Sequence, residues 1–269
     1  MVTPAHIALF IAVGSFCGFL AGFFGIGGGI ILVPFLTLFF RSMGVAEEIL
    51  MQLTFGTSLA VTFLASGSST WQHHRQKSLL WSAVGIMAFG SIIGAWTGAT
   101  IAVRTSSLVL KLVFTITLAA AAAGMFFEKR MTSEEIEPKS SFLWVFAGLA
   151  SGFIAPLAGI GGGVVLVPLM IYLLRFPIKK VVGTSSGVII FTSAISTIKY
   201  IYHGWGDALL PKGCIGFVCP AAVIFLGISS TIAAPTGAKF NQKIKISLFK
   251  KIFGILLLII SIKILFTSL

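Results

Sequence analysis

Charge is what this chain lacks. Asp, Glu, Lys and Arg make up 10% of its 269 residues, where a soluble chain carries about 25%. A water-facing surface cannot be assembled from so little. Carboxylates are scarcer still, seven against 19 Lys and Arg. Glu47, Glu48 and Asp207 stand near the ends of apolar runs, which argues against a carboxylate proton relay inside a membrane. Cysteine is also rare. Cys17, Cys214 and Cys219 form no CxxC, no His/Cys metal spacing and no secreted disulfide framework, so they read as small buried hydrophobes and no metal or cofactor is expected. The N-terminal "MVTPAHIALF" lacks a basic n-region and a small-residue cleavage site, and it reads as a retained first helix.

The net charge of +12 is spread over short loops between apolar runs. It forms no single basic patch with interleaved aromatics, so nucleic acid is not an expected partner. What the chain does have is apolar length. Hydrophobic residues make up 57%, mean hydropathy is +1.06, and runs of 17 to 25 residues recur from end to end. Each is long enough to cross a hydrocarbon core of about 30 Å as a helix. The expected fold class is an all-α polytopic membrane protein, with the lipid bilayer as its solvent.

One element interrupts this pattern twice. "GFLAGFFGIGGGIILVP" (Gly18 to Pro34) returns as "GFIAPLAGIGGGVVLVP" (Gly152 to Pro168), identical at 11 of 17 positions without a gap. Later landmarks repeat in the same order. "FGTSLA" at Phe55 matches "VGTSSG" at Val182, and "WTGA" at Trp96 matches "PTGA" at Pro235. The chain therefore reads as a tandem duplication. Residues 1–127 form the first membrane repeat, 128–141 the polar linker and 142–269 the second repeat.

Each half divides into five apolar segments, near 6–24, 29–40, 48–70, 79–103 and 107–127, then 142–158, 163–174, 182–202, 213–238 and 249–267. The first two of each half form either a hairpin or one broken crossing. If the glycine run reverses the chain, thirteen Lys and Arg between Arg75 and Lys251 share one side. Five (Arg41, Arg104, Lys111, Lys212 and Lys263) take the other, with Lys199 inside a segment. A broken crossing divides them 11 against 7. The hairpin gives the stronger positive-inside bias. It predicts inverted halves, with both termini outside and the glycine turns entering from opposite faces.

"GIGGG" places four glycines in five residues, each costing roughly 1 kcal/mol inside a helix. Irregular backbone at membrane depth survives only where it is buried in protein or lines a cavity. A helix starting directly afterwards has free N–H groups at the positive end of its dipole, which suit an anion. Pro34 and Pro168 break each helix one turn on, freeing the carbonyls of Ile30 and Val164. Gly25, Gly27, Gly28 and Gly29, with Gly159, Gly161, Gly162 and Gly163, are thus candidate substrate-binding residues. The alternative is that they serve close helix packing, as small-residue patterns do. A nucleotide site does not fit: there is neither G-x-G-x-x-G spacing nor a Walker lysine.

The doubled GxxGIGGGxxxVP element, the half length and the polar linker resemble the TauE/SafE sulfite-exporter family, also called the toluene-sulfonate uptake permeases. The resemblance spans essentially the whole chain. It implies a multi-pass carrier of the bacterial cytoplasmic membrane for a small sulfur-containing anion such as sulfite, a sulfonate or sulfoacetate. Pro156 stands where the first copy has Gly22, so the halves need not move alike.

Further polar residues lie inside the segments. Thr57, Ser58, Thr184 and Ser185 of the repeated "GTS" are candidate ligands through neutral hydroxyls, or they bond back to their own helix or to a neighbour. Lys199 either snorkels to the interface or serves the anion path. His73, His74 and His203 lie at interfacial helix ends, where a proton-linked role is open to them. No mid-membrane acid/base pair suggests an enzyme. Two functional readings follow: a secondary carrier working by alternating access around a midplane site, or a membrane scaffold without transport.

Overall fold

A computed structural model describes residues 4–126, 141–243 and 246–267. The linker predicted over 128–141 lies outside the described residues except for Ser141. Among the described residues the first half forms α1 (Pro4–Phe24), α2 (Gly29–Ser42), α3 (Glu47–Arg75), α4 (Trp81–Ala102) and α5 (Ser107–Phe126). The second forms α6 (Ser141–Ala158), α7 (Gly163–Pro168), α8 (Ile178–His203), α9 (Pro220–Asn241) and α10 (Ile246–Thr267). Seven of these are long and apolar enough to cross a membrane.

The first two segments make a hairpin. Phe10 packs its ring on Phe35 and Phe39, and Gly28 abuts the Cys17 carbonyl, so α2 returns along α1. In the second half Trp144 meets Phe176 and Gly162 abuts the Ser151 carbonyl, so α7 returns along α6. A broken crossing would separate these residues along one axis.

Contacts between the halves give the remaining directions. Gly56 lies against Tyr200, Ser69 bonds Ser186 and Gly183 lies against His73, so α3 and α8 are antiparallel. Gly14, Gly18 and Gly22 meet Leu226, Ser230 and Ala234 in parallel along α9, while Gly90, Gly94 and Gly98 meet Val145, Leu149 and Phe153 along α6. Backbones approach this closely because no side chain intervenes. Hence α1 packs on α9 as α6 packs on α4, and α3 on α9 as α8 on α4.

Two sequence boundaries shift. The segment expected at 213–238 is helical only from Pro220. Residues before it form a two-residue β-hairpin in which Ile215 and Val218 exchange both backbone hydrogen bonds, because Gly216 takes a left-handed φ of 54°. The segment expected at 163–174 changes at Pro168 into a π-helical turn, Leu169–Leu173. Proline brings no N–H to the ladder, and the chain rebonds with a wider turn. Pro34 leaves α2 helical through Ser42.

A line of buried hydroxyls runs through an otherwise apolar interior, and the jacket is apolar as well. α3 and α8 run through the centre, and Thr57, Ser58, Thr62, Ser66, Ser69, Thr184, Ser185, Ser193 and Ser196 are all buried. Phe89, Ile116, Phe142, Ile228 and Ile232 point outward and are exposed. An apolar exterior over an apolar core is unlike a soluble bundle, and it suits lipid on the outside.

Candidate functional site

The two glycine turns meet at the centre. Gly25, Gly27 and Gly28 have φ of 69°, 79° and 78°, and Gly159, Gly161 and Gly162 repeat this with 66°, 70° and 91°. A run of left-handed residues reverses the chain between α1 and α2 in so little length, and only glycine adopts it without strain. Gly28 and Gly162 are the N-caps of α2 and α7, and neither helix has a side-chain cap.

The first helical residue of each half presses on the other half's turn. A methyl added at Gly29 would stand 2.6 Å from Ile160 Cα, and one at Gly163 would stand 2.5 Å from the Gly25 carbonyl oxygen. Both turns are fully buried. Among the described residues no hydrogen bond is recorded for the amides of Gly27, Gly28, Gly29 and Ile30, nor for those of Gly161, Gly162, Gly163 and Val164. Eight unspent donors thus lie around two abutting backbone turns.

The repeated "GTS" residues hold this arrangement in place. Ser58 Oγ donates to the Gly159 carbonyl at 2.8 Å, and Ser185 Oγ donates to the Gly25 carbonyl at 2.9 Å. Each central helix therefore ties down the opposite half's turn. Thr57 Oγ1 accepts from the Cys219 amide at 3.0 Å, and Thr184 Oγ1 accepts from the Leu80 amide at 3.2 Å. These amides belong to the N-caps of α9 and α4, so the threonines anchor those helices on α3 and α8.

Thr62 was not among the residues singled out in the sequence. Its Oγ1 donates to the Gly27 carbonyl at 2.8 Å, and its methyl is the nearest neighbour of both Gly27 and Gly161. Ile189 lies against the same two glycines. Aligning the two "GTS" motifs pairs Thr62 with Ile189, and that signal would have found both.

His73 is buried. Its Nε2 lies 3.1 Å from the Gly22 carbonyl and its Nδ1 lies 2.9 Å from Ser78 Oγ. A carbonyl only accepts, so Nε2 carries a proton and donates to Gly22, while the Ser78 hydroxyl lies within reach of both Nδ1 and the His73 carbonyl. At the matching place in the second half, Tyr200 Oη donates to the Pro156 carbonyl at 2.8 Å. His73 and Tyr200 thus perform one task, holding the end of the helix before each turn. His74 instead accepts from Trp81 Nε1 in an exposed position. His203 sits edge-on to Tyr202, with Nε2 buried and, among the described residues, without a hydrogen-bond partner. Lys199 lays its ammonium 3.7 Å from the centroid of the Trp96 ring, a cation–π contact on a half-exposed indole. The structure therefore brings the two glycine turns, Ser58 and Ser185 together, while Lys199, His74 and His203 stand apart from the turns. Among the described residues no group of three or more His, Cys, Asp or Glu could hold a metal.

Seven membrane-length helices and an apolar jacket define a multi-pass integral membrane protein. The chain belongs to the sulfite exporter TauE/SafE family, whose description matches residues 10–264. A "Probable membrane transporter protein" of Haemophilus influenzae is 29% identical over 259 residues, covering 95% of this chain and 97% of that protein. Another from Methanocaldococcus jannaschii is 31% identical over 243 residues, covering 88% and 87%. One from Bacillus subtilis is 25% identical over 238 residues, covering 80% and 87%. No solved structure matches the chain. The protein is a membrane transporter, of a carrier family rather than an enzyme family.

Proposed function

We propose that this transporter is a secondary carrier for a small sulfur-containing anion such as sulfite, a sulfonate or sulfoacetate. It works by alternating access around the two glycine turns, and the halves act as inverted repeats. The observation that carries the reading is the pair of abutting turns with eight amides not spent on the described residues. Amides at helix starts carry fixed partial positive charge. They bind an oxyanion without a buried counter-charge, and the described interior holds no carboxylate to repel one.

Both turns being buried and bound across the halves by Ser58 and Ser185 supports reading this arrangement as the closed one. Opening toward either side separates one turn from the other and breaks the bond to Gly159 or to Gly25. The substrate then replaces hydroxyl–carbonyl pairing with amide–oxyanion pairing, a charge-assisted and stronger bond.

Orientation follows from charge. Arg75, Lys77, Lys179, Lys180, Lys239 and Lys243 lie at one end, where no described carboxylate accompanies them. Arg41, Arg104 and Lys212 share the other end with Glu47, Glu48 and Asp207. The first end faces the cytoplasm by the positive-inside rule.

Uptake into proteoliposomes, measured against sulfite, aliphatic sulfonates, sulfoacetate and carboxylates of matched size, tests the proposal. Saturable flux of the sulfur anions, competed by one another, is the expected result. Flux of a cation such as choline with no anion flux would overturn it.

A further inference from the structure

The loop from α8 to α9 carries two of the three cysteines, packed at the edge of an apolar cluster, in an arrangement that the proposed transport cycle does not use. Ile215 N–H donates to the Val218 carbonyl at 2.9 Å, and Val218 N–H donates back at 3.3 Å. This pair closes a two-residue hairpin over Gly216 and Phe217. Cys214 and Cys219 are the next residues outward on its two arms. They occupy the non-hydrogen-bonded position, where facing Cα atoms lie about 4.5 Å apart. A disulfide needs about 4.4–6.8 Å. Both cysteines are only half-buried, whereas Cys17 is buried inside the bundle.

The hairpin is held firmly. Phe217 N–H donates to the Tyr200 carbonyl at 3.2 Å, Gly56 and Gly204 make room for Phe217, and the Cys219 amide binds Thr57. The hairpin is thus anchored on both sides, with the two thiols close enough to interact. Their chemistry is unequal. The Cys214 thiol, and behind it the amides of Ala222 and Ala221 at the start of α9, hold the Cys219 sulfur below the ordinary thiol range against the effect of burial. Cys219 is thus the attacking thiolate and Cys214 the resolving thiol.

We propose that Cys214 and Cys219 form a redox-active dithiol, closed reversibly to a disulfide across the hairpin by a small-molecule disulfide. The Cys219 thiolate attacks one sulfur of the oxidant, forming a mixed disulfide and expelling the first thiolate. Cys214 then loses its proton and attacks the Cys219 sulfur, expelling the second. The protein gives up two electrons and two protons, and the oxidant leaves as two thiols. In the orientation proposed above, the hairpin faces the outer compartment, where disulfides persist. The thiol chemistry itself does not depend on that orientation or on the substrate.

The test uses the purified full chain in detergent, treated with glutathione disulfide and then alkylated with N-ethylmaleimide under denaturing conditions. Intact mass should show loss of two hydrogens and a single alkylation, at Cys17. Dithiothreitol should restore three alkylations. Cys214→Ser should stall as a stable glutathione adduct at Cys219, and Cys219→Ser should react much more slowly with no loss of two hydrogens. Three alkylations after oxidation, or a persistent adduct on the unsubstituted protein, would overturn the proposal. Because both serine variants keep the hairpin's backbone bonds, an unchanged melting temperature in the reduced state separates lost chemistry from lost folding.

Discussion

Alanine in place of glycine normally helps a helix, by roughly 1 kcal/mol at an interior position. At Gly29 and Gly163 the sign should reverse. The new methyl at Gly163 would stand 2.5 Å from the Gly25 carbonyl oxygen and 2.6 Å from Ile26 Cα, where ordinary contact begins at 3.4 Å. At Gly29 it would meet Ile160 Cα at 2.6 Å and the Gly159 carbonyl at 2.9 Å. These neighbours are backbone, which has no rotamer to turn away. One turn must move by nearly 1 Å from the other, stretching the Ser58 or Ser185 bond. Overpacking of this kind costs about 1–3 kcal/mol, which exceeds the propensity gain. Gly67 and Gly85 serve as controls, since a methyl there meets nothing within 4 Å. Reversible unfolding in mixed detergent micelles, read by tryptophan fluorescence, should rank Gly67→Ala and Gly85→Ala at or above the unsubstituted protein. Gly29→Ala and Gly163→Ala should fall clearly below it, and uptake should fall with them. If all four variants gain stability alike, the turns do not abut and the description of the centre is wrong.

Gly28→Val and Gly162→Val place a β-branched residue at φ of 78° and 91°, and uptake should vanish in both; full transport by either well-expressed variant would contradict the assignment of the turns. Ser58→Ala and Ser185→Ala each leave a buried carbonyl without its donor, at about 1–3 kcal/mol, measurable by the same unfolding assay. His73→Phe should cost a similar amount by orphaning the Gly22 carbonyl, whereas His73→Tyr restores a donor of the kind Tyr200 supplies in the other half. Lys199→Met should keep anion uptake, because the ammonium lies over Trp96 and away from the turns; lost uptake in a folded variant would put Lys199 on the anion path.

Much was legible in the residues themselves. Scarce charge and apolar runs of about 20 residues establish a polytopic helical protein, because runs of that length satisfy their backbone groups in hydrocarbon as helices, whereas barrel strands are about half as long. The doubled GIGGG run marks the chain's irregular centre, since only glycine tolerates that backbone, and α1 to α6 begin and end within a few residues of their expected bounds. Local pattern could not decide between hairpin and broken crossing, as both satisfy the same periodicity. Ring contacts between Phe10 and Phe39 decided it. Nor could spacing show that Ser58 and Ser185 bind the opposite half's carbonyls, that His73 and Tyr200 share one task, or that Lys199 turns to Trp96. A hydroxyl in a helix reads identically whether it bonds its own turn or a neighbour's. The outcome depends on which backbone group, more than a hundred residues away, is brought within 3 Å, and only the packing of α3 against α8 and the two turns determines that.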